Sequence, residues 1–265
     1  PSIALTKAAI LQSGQDMNGV GSTLAVPNKD EGWGRANMKF MLNTGVPVRY
    51  VDQIVQFGAP GQQIVYSGEI VDSSKPFRAT LVWTDPAGVV DPALVNNLDL
   101  TVTIGGTIYR GNVFSGGSSI TGGVADIRNN VEQVWRTGDT AGTPVTVTVS
   151  SAAINGDGVL GNPDATDQHF ALVVYNFAGR FTVAGRVVDA NGRAVSAANV
   201  SLFNGPTLVA RMFTNSFGYY RFSDVIGGTS YDLVVSSKRY VFEPKLVSLD
   251  SSDLDSVNFT AAAGP

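Results

Sequence analysis

The sequence predicts a mainly β protein: a jelly-roll β-sandwich or barrel followed by a small β-sandwich, with a short helical remnant at the N-terminus. Three observations carry that expectation. Apolar and polar residues alternate at period two through much of the chain, as strands with one buried face require. The β-branched runs are short and are split by Gly, Asn and Asp clusters, whose backbone freedom and short polar side chains suit turns. Apolar spacing of three and four is confined to the first dozen residues. At 265 residues the chain exceeds one small sandwich, and ~100–200 residues per domain predicts two domains with an appendage.

Within residues 1–45, Pro1 to Gln12 reads as a helix, with Ile3, Ala4, Lys7, Ala8 and Leu11 forming a small-residued face. Gly14 supplies a flexible stop, Asn18 to Asp30 reads as a polar loop, and a second short turn is expected at Ala36–Leu42. One helix and a loop bury no core of their own, so this segment must dock on something. An apolar surface of Leu5, Ile10, Leu11 and Trp33 is expected either to fold back on the next domain or to promote oligomers.

Residues 46–178 read as the jelly-roll. Phe77, Ala79, Leu81 and Trp83 share one face of a strand, Leu98, Leu100, Val102 and Ile104 a face of another, and Val145, Val147 and Val149 that of a third. Phe170–Tyr175 is a solid apolar run suited to an interior strand. Near Ala178-Gly179-Arg180 a new series of short strands begins, and turns at Asp189–Gly192, Asn215–Gly218 and Gly227–Thr229 divide residues 179–262 into a small sandwich. The tail Ala261–Pro265 is expected to be disordered.

Composition narrows the functional classes. The 43% apolar and 15% charged content suits a folded chain. A formal net charge of -4 provides no basic field, so neither nucleic acid nor an anionic membrane surface is an expected partner. No apolar run reaches the ~20 residues of a spanning helix, and the beginning of the sequence lacks the basic and apolar regions of a signal peptide. With no cysteine, disulfides, thiolate catalysis and zinc knuckles are outside this chain's chemistry. There is one histidine, His169, at the entrance to an apolar strand, where a structural role is expected.

Hard oxygen donors are the chemistry left. Asp85, Asn96, Asn97, Asp99, Asn129, Asn130 and Glu132 are the ligand types calcium prefers, and Asp85, Asn97, Asp99, Asn130 and Glu132 are the candidate metal set. The same side chains equally serve to cap turns. Asn155–Asp167 is acidic and glycine-rich but lacks the closing glutamate of an EF-hand loop, and reads as a plain exposed loop. Tyr219, Tyr220, Phe222, Tyr231, Tyr240 and Phe242 form either the core of the last domain or a sugar-stacking surface, with core favoured.

Several motifs carry a family resemblance. Ser2-Ile3-Ala4-Leu5-Thr6-Lys7-Ala8-Ala9-Ile10-Leu11 resembles the last long helix of subtilisin-like serine proteases (peptidase S8 family), and Asp30–Asn37, containing Gly32-Trp33-Gly34-Arg35, resembles the signature that closes their catalytic domain. Ala79–Pro86, Leu94–Leu100 and Arg128–Glu132 resemble the P-domain-like β-barrel that follows that domain in a bacterial group. Here Asn97-Leu98-Asp99 lacks one carboxylate of the family's Asn-Asp-Leu-Asp segment. Gly185–Asp189, with Gly192, Val195, Val200, Gly218, Tyr219 and Tyr231, resembles a carboxypeptidase regulatory-like, transthyretin-type sandwich.

The resemblance implies a non-catalytic C-terminal portion of a secreted, extracellular serine endopeptidase. The family's Asp, His and Ser stand upstream of the closing helix, so no catalytic residue is assigned here. The implied role is to stabilise or tether the catalytic domain, the expected partner, with calcium as the candidate ion. The alternative is an accessory module that binds a polysaccharide or protein surface.

Overall fold

The computed structural model describes residues 1–17, 25–42, 45–89, 93–249 and 252–262. Most of the expected Asn18–Asp30 loop and the last residues of the tail lie outside them. The chain divides into two units, Pro1–Ala178 and Gly179–Pro265. In the first, the elements in order are α1 (Ile3–Gln12), β1 (Gly14–Gln15), β2 (Arg35–Ala36), α2 (Met38–Leu42), β3 (Val48–Phe57), β4 (Gln63–Ile70), β5 (Phe77–Val82), β6 (Asn97–Ile104) and β7 (Thr107–Arg110). There follow the small pair β8 (Phe114–Ser115) and β9 (Ser118–Ser119), then β10 (Val131–Arg136), β11 (Pro144–Ala153) and β12 (Gln168–Tyr175).

The eight long strands make two antiparallel sheets, one ordered β3-β12-β5-β10 and the other carrying β4-β11-β6-β7. Every connection among them crosses between sheets except the β6–β7 hairpin, which is jelly-roll topology. The alternation read from the sequence sets the core: Phe77, Ala79, Leu81 and Trp83 face Leu98, Leu100, Val102 and Ile104 across the sandwich, with Val145, Val147 and Val149 beside them. The opposite faces of β5 and β12 carry Val82, Ala171 and Val173, which are buried as well. They are covered by α1, so Phe170–Tyr175 is apolar throughout because both its faces are covered.

The helix meets the sheet along Ala4, Ala8 and Gln12. Positions four apart fall on one face, and alanine lets the backbone lie close to the strands. Ile3 and Lys7, expected on the buried face, point outward, because the row of Ala4, Ala8 and Gln12 and not the bulkier residues makes the contact. Both ends of the helix are pinned. Ser2 caps it, accepting from the Leu5 amide at 2.9 Å, and its own amide donates to Asp52 Oδ2 on β3 at 2.9 Å. At the other end the buried Arg78 guanidinium donates to the Gln12 and Gly14 carbonyls at 2.8 and 2.7 Å and lies over Trp135 at 4.1 Å from its ring centroid. Burial lowers the Arg78 pKa to about 10.

Gly14 stands two residues past the end of α1. It sits in β1 against β2, where an added Cβ would lie 2.1 Å from the Trp33 carbonyl oxygen. That close approach seats Trp33 between Phe114 and Trp135, at centroid distances of 5.9 and 5.8 Å. The segment therefore folds back on the jelly-roll, with Leu5, Leu11 and Trp33 packed on it.

The second unit comprises β13 (Phe177–Val188, whose first two residues belong to the first unit), β14 (Asn199–Asn204), β15 (Thr207–Phe213), β16 (Tyr219–Ile226), β17 (Thr229–Ser236), β18 (Lys245–Leu249) and β19 (Phe259–Thr260). One layer is the antiparallel sheet β15-β14-β17-β18; in the other β13 pairs with β16 antiparallel and with β19 in parallel. Val183, Val187, Val200, Leu202, Leu233 and Phe259 are among the residues filling the space between. The expected turns hold: Asp189 Oδ1 accepts from the Asn191 and Arg193 amides, and Asn215 Oδ1 from those of Phe217 and Tyr219. Ala261 is buried and its amide donates to the Val188 carbonyl at 2.9 Å, so the tail expected to be disordered is ordered at least that far.

Candidate functional site

The candidate ligands separate into two groups in the folded chain. Asp85 is a turn anchor, its two carboxylate oxygens accepting from the Val95 and Asn96 amides at 2.9 and 2.8 Å. Asn130 donates to the Trp83 carbonyl at 2.9 Å and accepts from Lys7 Nζ at 3.3 Å, which ties the loop before β10 to α1. Neither joins the others, because its oxygens already have partners: backbone amides for Asp85 and the Lys7 ammonium for Asn130. Asn96 is completely buried and binds three loops together, accepting from the Asn155 and Gly156 amides and donating to the Gly156 and Asp167 carbonyls and to Gln168 Oε1.

Asn97 hydrogen-bonds to Asp99, and Asp99 in turn shares a cavity with Glu132. β6 carries the first two with side chains on the face away from the core, since Leu98 and Leu100 take the inner positions. Glu132 reaches across from β10 and accepts the Leu100 amide at 2.7 Å through Oε2. Gly111, at the end of β7, makes room for it: a Cβ there would lie 2.2 Å from Glu132 Oε2. Asp99, Arg110 and Glu132 line a cavity of about 320 Å3.

The electrostatics of this cavity are unusual for a protein surface. Glu132 is 1% exposed, and burial, opposed by the Leu100 amide and reinforced by the charges of Asp99 and Asp126, pushes its pKa up to about 9. Burial likewise raises Asp99; Arg110 and a hydrogen bond from Asn97 oppose the shift, and Asp126 adds to it. Asp126 shifts the other way. Burial pushes it upward, but hydrogen bonds from Asn112, Asn129 and the Arg128 amide outweigh that and hold it down. Asp126 is not among the sequence candidates; Asn112 Nδ2 donates to its Oδ2 at 2.6 Å, a contact that no short window of sequence shows.

The Asn155–Asp167 loop is not plainly exposed. Asp167 is completely buried, and its Oδ1 accepts from the Gly158 and Val159 amides while Oδ2 accepts from Gln56 and Asn162, so the carboxylate organises the loop from within. His169 stands on β12 paired with Gln56, at a register irregularity. In the second unit Tyr220, Phe222, Tyr231 and Phe242 are core and Tyr240 packs against it. Tyr219 is 52% exposed, near Phe213 and Phe217 in sequence at 64% and 68%.

Comparison with known proteins places part of the chain. The family profile described as carboxypeptidase regulatory-like domain matches residues 182–262, and no curated protein matches the chain. Among solved structures, the T6 backbone pilin of serotype M6 Streptococcus pyogenes is 14% identical, aligned over 76% of this chain and 50% of its own, with a TM-score of 0.25. The major pilin subunit BcpA of Bacillus cereus is 13% identical over 82% of this chain and 70% of its own, at 0.25. The shaft pilin SpaA of Lactobacillus rhamnosus GG is 9% identical over 71% and 99%, at 0.27. This chain thus spans about half the length of the streptococcal pilin. These likenesses are too distant to bear on function, and none of the comparisons bears on the resemblance to subtilisin-like proteases. What they establish is that the second unit carries a carboxypeptidase regulatory-like domain.

Proposed function

We propose that the chain is a non-catalytic C-terminal portion of a secreted subtilisin-like serine endopeptidase, whose jelly-roll and regulatory-like sandwich stabilise or tether the catalytic domain. The observation that supports this is the two-sided character of α1. Its inner face is held to the sheet by Ala4, Ala8 and Gln12, while Ile3, 83% exposed, and Ile10, 45% exposed, stand outward. With Pro1, Thr6, Lys7 and Leu11 they line a largely apolar groove of about 350 Å3. A helix that belongs to the jelly-roll on one side and offers apolar surface on the other is suited to continue the core of a second body, and the resemblance of Ser2–Leu11 and Asp30–Asn37 to the closing segments of subtilisin-like catalytic domains favours a protease domain as that body.

The test compares a subtilisin-like catalytic domain produced alone, fused to this chain, and fused to the chain carrying Ile3→Glu and Ile10→Glu. A longer thermal-inactivation half-life in the wild-type fusion, lost in the double variant, is expected. Equal half-lives in all three would sink the reading.

A second reading, an accessory module for a polysaccharide, has the exposed Phe213, Phe217 and Tyr219 in its favour, since rings that give up solvent on a sugar face gain binding energy. Retention of the chain on insoluble polysaccharide, abolished by replacing all three with alanine, is the outcome it requires.

A further inference from the structure

The outer face of the β13–β16 pair in the second unit carries arginines and aromatic rings side by side. On β16, Tyr219 and Arg221 are exposed while Tyr220 and Phe222 are buried, so the first two point away from the core. Across the ladder, Arg186 on β13 pairs with Tyr219, and Ala184 with Arg221. The Arg186 guanidinium lies over the Tyr219 ring, 5.4 Å from its centroid, and its Nε donates to the Phe217 carbonyl at 3.0 Å. These two contacts hold the guanidinium plane in place, and neither uses Nη1 or Nη2.

Charge is spread unevenly along the chain in the same sense. The net charge is -4, yet residues 190–223 contain Arg193, Arg211 and Arg221 and no Asp or Glu. Asp255 Oδ1 stands 4.0 Å from Arg221 Nη1, at the limit of an ion pair between two exposed side chains. Asp253, engaged by the Thr182 amide at 2.8 Å, and Asp224 lie toward the other end of the two strands.

We propose that this face binds an acidic polysaccharide: Arg186 donates through its outer edge to the carboxylate of a uronate unit, the exposed Phe217 and Tyr219 rings cover the apolar faces of neighbouring sugars, and Arg221 supplies a second positive charge along the polymer. The inference rests on the accessory-module reading and names its ligand class, since Phe217 and Tyr219 are two of the rings that support that reading. A planar guanidinium matches a carboxylate bidentately, and one already held by a ring and a carbonyl loses little freedom in doing so. Successive outward residues of a strand stand about 7 Å apart, so Tyr219 and Arg221 form a line that suits an extended polymer. A neutral glycan would use the rings and leave the arginines idle. Single-stranded nucleic acid also joins rings to negative charge, but it carries a phosphate on every unit and calls for a groove of cations, whereas three aspartates border this face.

The experiment measures binding of the full chain to polygalacturonate, to alginate, to methyl-esterified polygalacturonate and to oligothymidylate by biolayer interferometry, at low and at high salt. Both uronate polymers are expected to bind, more weakly at high salt. Esterification keeps the sugar faces and removes the charge, and should lower the affinity about tenfold or more. Arg186→Gln should erase that preference and leave binding to the ester unchanged, while Tyr219→Ala weakens both; a circular-dichroism melt matching wild type shows that each variant folds. Equal affinity for acid and ester, abolished by Phe217→Ala with Tyr219→Ala, would overturn the choice of an acidic ligand and leave the accessory-module reading standing. No binding to acid or ester would sink both. A preference for the acid that survives Arg186→Gln with Arg221→Gln, or tighter binding to oligothymidylate than to either uronate polymer, would also overturn the proposal.

Discussion

The two sheets of the jelly-roll use the same residue types under different cover. In β11 buried and half-buried positions alternate from Val145 to Ser150, with valines inward and hydroxyls outward. In β12, by contrast, every residue from Phe170 to Tyr175 is buried. The difference teaches that the number of covered faces, not strand propensity, sets the composition of a strand: where α1 lies on the outer face, the apolar pattern loses its period. It also explains why Arg78 and Gln12, polar residues between helix and sheet, are bonded to each other's backbone, Gln12 Nε2 donating to the Arg78 carbonyl at 2.9 Å.

The largest effect should come from charging the doubly covered strand. Val173→Asp places a carboxylate under α1 with no partner and is expected to cost about 3–5 kcal/mol in urea unfolding, enough to unfold a marginal domain. Next is the buried cation. Arg78→Met keeps much of the apolar contact with Trp135 but leaves the Gln12 and Gly14 carbonyls without their charged donor, at a cost of about 2–3 kcal/mol and with a change in tryptophan emission as the end of α1 loosens. The smallest is the control on the other sheet: Thr148→Asp on β11, half-buried on the outward face, should shift stability by about 1 kcal/mol or less. If Val173→Asp and Thr148→Asp cost the same, the contrast between the sheets is wrong.

Much of the fold was legible because the information is local. A period of two names the inward residues of β5, β6 and β11 wherever the strand ends up, and Asp-Ala-Asn-Gly or Asn-Ser-Phe-Gly marks a turn because the asparagine or aspartate caps its own neighbours. The helix was legible as a helix, but not its buried face: Ile3 and Lys7 share the right spacing with Ala4 and Ala8, and only docking on a flat sheet, where alanine permits the closest approach, selects between the rows. The aromatic content of the second unit pointed to a core, which Tyr220, Phe222 and Tyr231 form, while the exposure of Tyr219 followed from its place at the start of a strand.

The candidate ligands divide along the same line. Oxygen-rich segments at Asp85, Asn96–Asp99 and Asn129–Glu132 could be found by reading the chain, but whether each oxygen meets a backbone amide or another carboxylate could not. Thus the sequence by itself determined strand content, turn positions, the inward faces and the inventory of hard oxygens. Tertiary structure alone decided that Glu132 crosses from one sheet to stand beside Asp99 on the other, over a glycine that makes room, while Asp85 anchors a loop and Asn130 is tied to Trp83 and Lys7. The physical reason is range: periodicity and turn chemistry act over a few residues, whereas convergence of side chains more than thirty positions apart depends on register and sheet crossing, which no short window of sequence contains.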